Sequence, residues 1–127
     1  MKEDKFQIII IAKKILFNLD DILCRFPNKE KVLKDRFKTT MYDLIEYIYL
    51  ANYLPLNEYR EKRKEYQVII LSKISIIDLL LEESYKKRYL PEELFKTKVK
   101  ELTDLYIKVK GWISGGKSNN KTGNGVL

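Results

Sequence analysis

Between two prolines, residues 55–91 read PLNEYREKRKEYQVIILSKISIIDLLLEESYKKRYLP. Tyr59, Tyr66, Ile69, Ile70, Ile74, Ile77, Leu80 and Leu81 share one face when this segment is wound at helical period. No glycine interrupts the segment, and Pro55 and Pro91 bound it. Proline holds φ near the helical value but lacks an amide hydrogen, so it suits a first helical turn and not a helix interior. Pro27 divides the preceding chain in the same way. The three prolines therefore separate four stretches, roughly 3–25, 28–53, 56–88 and 91–113, each long for a globular helix. The pattern predicts an all-α fold: an antiparallel up-down four-helix bundle over residues 1–113, followed by a flexible C-terminal tail, 114–127.

The other stretches carry the same stripe. In the first it is Ile8, Ile11, Ala12, Ile15, Leu19, Ile22 and Phe26. A second row, Ile9, Leu16 and Leu23, makes this helix apolar on more than one side, so it is either central or also touches a second subunit. In the second stretch Asn28 is positioned to cap, and Val32 or Leu33, Phe37, Met41, Leu44, Ile48 and Ala51 face inward. Tyr47, Tyr49 and Tyr53 gather near its end, where rings can bury while hydroxyls stay wet. The third stretch opens on Arg60, Lys62, Arg63 and Lys64 and closes on Asp78, Glu82 and Glu83, an order that opposes the helix dipole. The fourth opens with Pro91, Glu92 and Glu93 and continues through Leu94, Leu102, Leu105, Val109 and Trp112. Ser114-Gly115-Gly116 is expected to stop it.

The chain has 127 residues, enough to bury a core without disulfides or metal. All five glycines lie at or after position 111, which argues against tight hairpins. A single cysteine, Cys24, sits among Ile22, Leu23 and Phe26 and reads as a buried thiol. With no histidine, the commonest catalytic base and metal ligand is missing, and neither metal nor cofactor is implied. The apolar run Ile8–Ala12 is too short for a signal sequence and ends at Lys13-Lys14. No run approaches the roughly 18 apolar residues that span a bilayer, so a cytoplasmic protein is expected.

Three patterns bear on function. Gly111, four residues, then Gly116-Lys117-Ser118 matches a phosphate-binding loop formally. That loop needs a strand before it and a helix after it, and here a helix precedes and a low-complexity tail follows. Carboxylate pairs at Asp20/Asp21, Glu82/Glu83 and Glu92/Glu93 read as solvated helix faces, and no enzyme is expected. The net charge of +7 points to a polyanionic partner. Lys31, Lys34 and Lys38 follow at i, i+3 and i+7 with Arg36 nearby, and Lys96 and Lys100 share a face beside Lys98. With Arg60, Arg63 and Lys64 these form a candidate surface for phosphates, with exposed tyrosines adding base stacking. The competing reading pairs them with Glu30, Asp35 and Glu101 on ordinary wet faces.

The chain also resembles a known family. Phe26-Pro27 follows the first helix, Phe37 lies inside a second that ends Ala51-Asn52-Tyr53, and Leu90-Pro91 precedes a last helix closing on Gly111-Trp112-Ile113 and a basic tail. This order, over about residues 6–114, is similar to the Avd family, the accessory variability determinants of diversity-generating retroelements. A wider group of four-helix-bundle proteins encoded by rRNA intervening sequences shares it. The resemblance implies a basic, non-catalytic bundle that assembles as a homopentamer. It also implies binding of RNA or DNA and of a reverse transcriptase during mutagenic copying of a template RNA. Two departures stand out. The third stretch reads Leu71-Ser72-Lys73-Ile74-Ser75-Ile76-Ile77-Asp78 where the family carries arginines, and Lys34-Asp35-Arg36 stands where it often has glycine. The alternative is a homo-oligomeric interaction scaffold of the intervening-sequence type with no nucleic-acid role.

Overall fold

The computed structural model describes the backbone of residues 2–55 and 57–120, and the side chains of 7–55 and 57–115. Among the described residues the regular structure is entirely helical: α1 (Lys2–Phe17), α2 (Leu19–Leu23), a 3₁₀ turn (Asn28–Glu30), α3 (Lys31–Tyr53), α4 (Arg60–Lys86) and α5 (Glu92–Asn120). The four long helices pack in a ring, α1 against α3 and α5, and α4 against α3 and α5.

One core fills the ring. Ile8, Ala12, Phe37, Met41, Leu44, Ala51, Ile70, Leu105 and Val109 have no exposed surface. Leu19, Ile22, Ile74, Ile77, Leu102 and Trp112 are nearly as buried. The apolar stripes therefore face inward as their period requires. Within them, Leu33 is the buried member at the start of α3, while Val32 is 83% exposed. Tyr59, placed by its spacing in the core, is half exposed because it precedes α4 and does not belong to it.

Several expected boundaries shift. The first stretch is two helices, since Asn18 interrupts it with φ −91° and ψ 0°. Asn18 nevertheless donates to the Lys14 carbonyl at 3.1 Å, so the apolar stripe crosses the break. Asn28 opens the 3₁₀ turn and caps nothing with its side chain; α3 begins only at Lys31. Leu54, before Pro55, is extended at ψ 126°, as the proline ring demands of its predecessor. The Tyr59 amide donates to the Pro55 carbonyl at 3.0 Å, one isolated turn before α4 starts at Arg60. Nor does Ser114-Gly115-Gly116 end the last helix: α5 runs on to Asn120, with Gly115 buried. Glycine weakens a helix by about 1 kcal/mol relative to alanine but does not forbid it. The remainder of the expected tail, 121–127, lies outside the described residues.

Cys24 is exposed, contrary to the buried thiol expected from its neighbours. α2 ends one residue earlier with Ile22 and Leu23 inward, which turns Cys24 out; its sulfur approaches the Asp21 carbonyl at 3.3 Å. The second row on α1 is also resolved differently. Leu23 is buried, and Ile9 and Leu16 pack partly against the chain's own core. The exposed apolar row is instead Ile10 and Phe17, at 60% and 73% exposure.

Candidate nucleic-acid interface

The Pro27 and Pro91 joints meet at one end of the bundle. Phe26 lies 5.1 Å from Tyr89 and edge-on to Phe37 at 5.9 Å, ring centre to ring centre. Over these rings, one Glu30 oxygen accepts the Tyr89 hydroxyl at 2.5 Å and the Lys87 ammonium at 3.1 Å. Lys87 also reaches Glu83 at 3.1 Å. The Tyr89 hydrogen bond, then Lys87, then the nearby charge of Lys29 hold the Glu30 carboxyl below its ordinary range. The same contacts raise Tyr89, chiefly through Glu30, and Lys87, chiefly through Glu83.

Around this clasp the two joints bring together cations that lie far apart in sequence. Arg25, Lys29, Lys31, Lys34 and Arg88 have no ion-pair partner among the described residues. Among the described residues Asp21, Asp35 and Glu93 are unpaired carboxylates in the same region, and Lys87 alone serves both Glu30 and Glu83, so the excess of positive charge there is small. Arg25, Lys29 and Arg88 were not among the residues the sequence singled out. Arg25 stands alone in its segment, Lys29 adjoins Lys31, and Arg88 follows Lys86 and Lys87; the meeting of the joints brings the three segments together.

The remaining candidates scatter. Lys38 is tied to Asp20 at 2.7 Å, a bond that raises its ammonium above the ordinary range. Arg36 donates through Nε to buried Thr40 at 3.3 Å. Lys96 pairs with Glu92 at 3.0 Å, and Lys98, nearly covered, with Glu101 at 3.3 Å. Lys100 is exposed on α5, which is diagonal to α3 in the ring. Arg60, Arg63 and Lys64 stand at the opposite end: α4 has 27 residues, so about 40 Å separates its termini.

Arg63 is a structural clamp at that far end. Its guanidinium lies 5.4 Å from the Trp112 ring centre and donates to the Leu54 carbonyl at 3.3 Å. Burial pushes its pKa down, and the cation–π contact and hydrogen bond hold the α3–α4 joint on α5. Arg60 and Lys64, both exposed, carry no ion pair among the described residues.

The nine residues selected from sequence thus do not form one patch. Lys31 and Lys34 join the basic end, Arg60 and Lys64 mark the other, and Lys100 lies on a third face. The formal phosphate-loop match at 111–118 is helical throughout, which commits its amides to the helix and leaves no loop to cradle phosphate. Among the described residues no group of acidic or sulfur ligands is placed to hold a metal ion, and no helix is long and apolar enough to cross a membrane. No protein-family profile, curated protein or solved structure matches this chain.

Proposed function

We propose that this protein is a non-catalytic, nucleic-acid-binding accessory of the Avd type, working with a retroelement reverse transcriptase in the copying of template RNA. The observation that carries the reading is the group of unpaired cations at the Pro27–Pro91 end: Arg25, Lys29, Lys31, Lys34 and Arg88. Such a group attracts a phosphate backbone without selecting a sequence. The family resemblance supplies the polymerase partner and the pentamer.

The reading includes an antiparallel up-down arrangement and self-association. In support of the first, contacts 30–87, 43–73 and 47–66 link rising numbers on the α3 side to falling numbers on the α4 side. In support of the second, Ile10, Phe17 and Ile107 are exposed, and α4 presents an uncharged outer line of Val68, Ser72, Ser75 and Leu79. Those same exposed side chains favour the second reading, a homo-oligomeric scaffold with no nucleic-acid role, whose basic surface is incidental.

Salt titration separates the two. If five cations contact a single strand, the logarithm of the binding constant falls against the logarithm of salt with a slope of about −3.5. Lys31→Ala with Lys34→Ala makes that slope shallower by about 1.4. A filter-binding series with a single-stranded RNA reads both. Retention that is absent at low salt, or unchanged in the double variant, removes the nucleic-acid role and leaves the scaffold.

A further inference from the structure

At the α4–α5 joint, Tyr85, Lys86, Arg88, Tyr89, Leu90 and Pro91 line an open notch of about 610 Å³. That volume lies within the range of about 300–1,000 Å³ usual for small-ligand sites. We propose that this notch is a pocket for one phosphate-bearing nucleotide unit, the terminal nucleotide of a single strand. The proposal rests on the nucleic-acid reading of the same end of the bundle and assigns it a specific subsite.

Three observations converge. The first is the backbone at Arg88, where φ is 66°. α4 ends with the Arg88 amide donating to the Tyr85 carbonyl at 2.9 Å and the Tyr89 amide to the Ser84 carbonyl at 2.9 Å. This closure places its left-handed position on Arg88, where glycine is the usual occupant because any Cβ is disfavoured there. Residues held in such conformations concentrate at functional sites. An arginine that is conformationally costly and also lines a cavity is explained if its side chain has work there.

The second is the rigidity of the aromatic walls. Tyr85 stacks on Phe95 at 4.4 Å with 8° between the planes. Tyr89 is held by Phe26 and by its hydroxyl on Glu30. Both rings are therefore in place before a ligand arrives. Stacking on such rings is tolerant of base identity, and a cation beside it takes the phosphate.

The third is charge. Lys86 is engaged by Glu82 at 3.6 Å, which leaves Arg88 as the lining cation without a carboxylate among the described residues. A guanidinium gives a phosphate two parallel donors, and the additional charge and third free oxygen of a terminal monoester favour a chain terminus over an internal diester. Exposed Arg25 and Lys29 at the same end are available to the following phosphates.

Fluorescence anisotropy with three labelled single-stranded decamers, bearing a 5′ phosphate, a 3′ phosphate or neither, tests this on the full chain. The wild type is expected to favour one phosphorylated decamer by about tenfold. That preference vanishes in Arg88→Gly, although the variant unfolds at higher urea than the wild type. Arg88→Asn, which also tolerates left-handed backbone, gives the same loss. Equal binding of all three decamers by the wild type, or a preference that survives in both variants, overturns the pocket. If binding still falls with salt in that case, the broader nucleic-acid reading stands without it. A wild type that binds no decamer but takes AMP in an Arg88-dependent way overturns that broader reading and leaves a nucleotide pocket. Inorganic phosphate competing as well as AMP overturns the role given to the rings, and binding of neither probe class overturns both readings.

Discussion

Glu30 shows how one side chain can join two loops. Its single oxygen receives Tyr89 and Lys87 across 57 to 59 residues of sequence. The sign of its pH dependence follows from the shift. Because the folded carboxyl titrates below its ordinary 4.5, its contribution to stability is present above that value and lost as pH falls through the lowered one. Tyr89 and Lys87 shift upward from 10.0 and 10.5, so their share is present below those values and lost as pH rises through the raised ones. Urea unfolding across pH is therefore expected to give a plateau with two falling flanks. Glu30→Gln flattens the acid flank and lowers the plateau; an acid flank identical to wild type would show that the clasp does not hold the joints. Nothing in the spacing of Glu30 announces this role, because its partners belong to another part of the chain.

The helices themselves follow closely from hydrophobic period, and their ends do not. α3 is a clear case. Its stripe could begin at Val32 or Leu33, since both fit within half a turn, and packing selects Leu33 at 6% exposure over Val32 at 83%. Leu33→Ala should cost about 2–5 kcal/mol, while Val32→Ala stays within about 0.5 kcal/mol, both read from urea midpoints at constant slope. Comparable losses would mean the register at the start of α3 is wrong. The helix starts shifted for a local reason: proline restricts its predecessor and tolerates a first turn, but it does not oblige the α-helix to start at once. Pro27 leads into a 3₁₀ turn and Pro55 into an isolated turn, whereas Pro91 is followed at once by α5. Gly115 fails as a stop because a buried helical position can hold a residue whose intrinsic preference is poor.

For the molecule as a whole, charge and exposed apolar surface make separable demands. Exposed Ile10 and Phe17 on α1 and Ile107 on α5 lie outside the core, so substituting them should spare the fold. In a self-associating protein, Phe17→Ser with Ile107→Asp lowers the mass in solution toward 15.2 kDa while the circular dichroism stays helical. Light scattering on a sizing column reads this. A wild type already at the single-chain mass would remove the oligomer from the proposed function. The charge of the molecule is divided: Arg63 is held on Trp112, Lys38, Lys86, Lys87 and Lys96 are paired, five cations without an ion pair among the described residues lie where two joints meet, and Arg60 and Lys64 lie at the other end.

Helical class, the number of long rods and nearly every inward-facing residue could be read from local order along the chain, because a 3.6-residue period is a property of neighbours. The absence of glycine before position 111 reinforced it. Grouping of the cations, exposure of Cys24, the clamp at Arg63 and the notch at Arg88 could not, since each depends on which segments meet. Lysines at helical spacing look alike whether they face solvent, a carboxylate on another helix or a phosphate. Packing alone assigned Lys38 to Asp20, sent Arg63 to Trp112 and left Arg25, Lys29 and Arg88 together at one end.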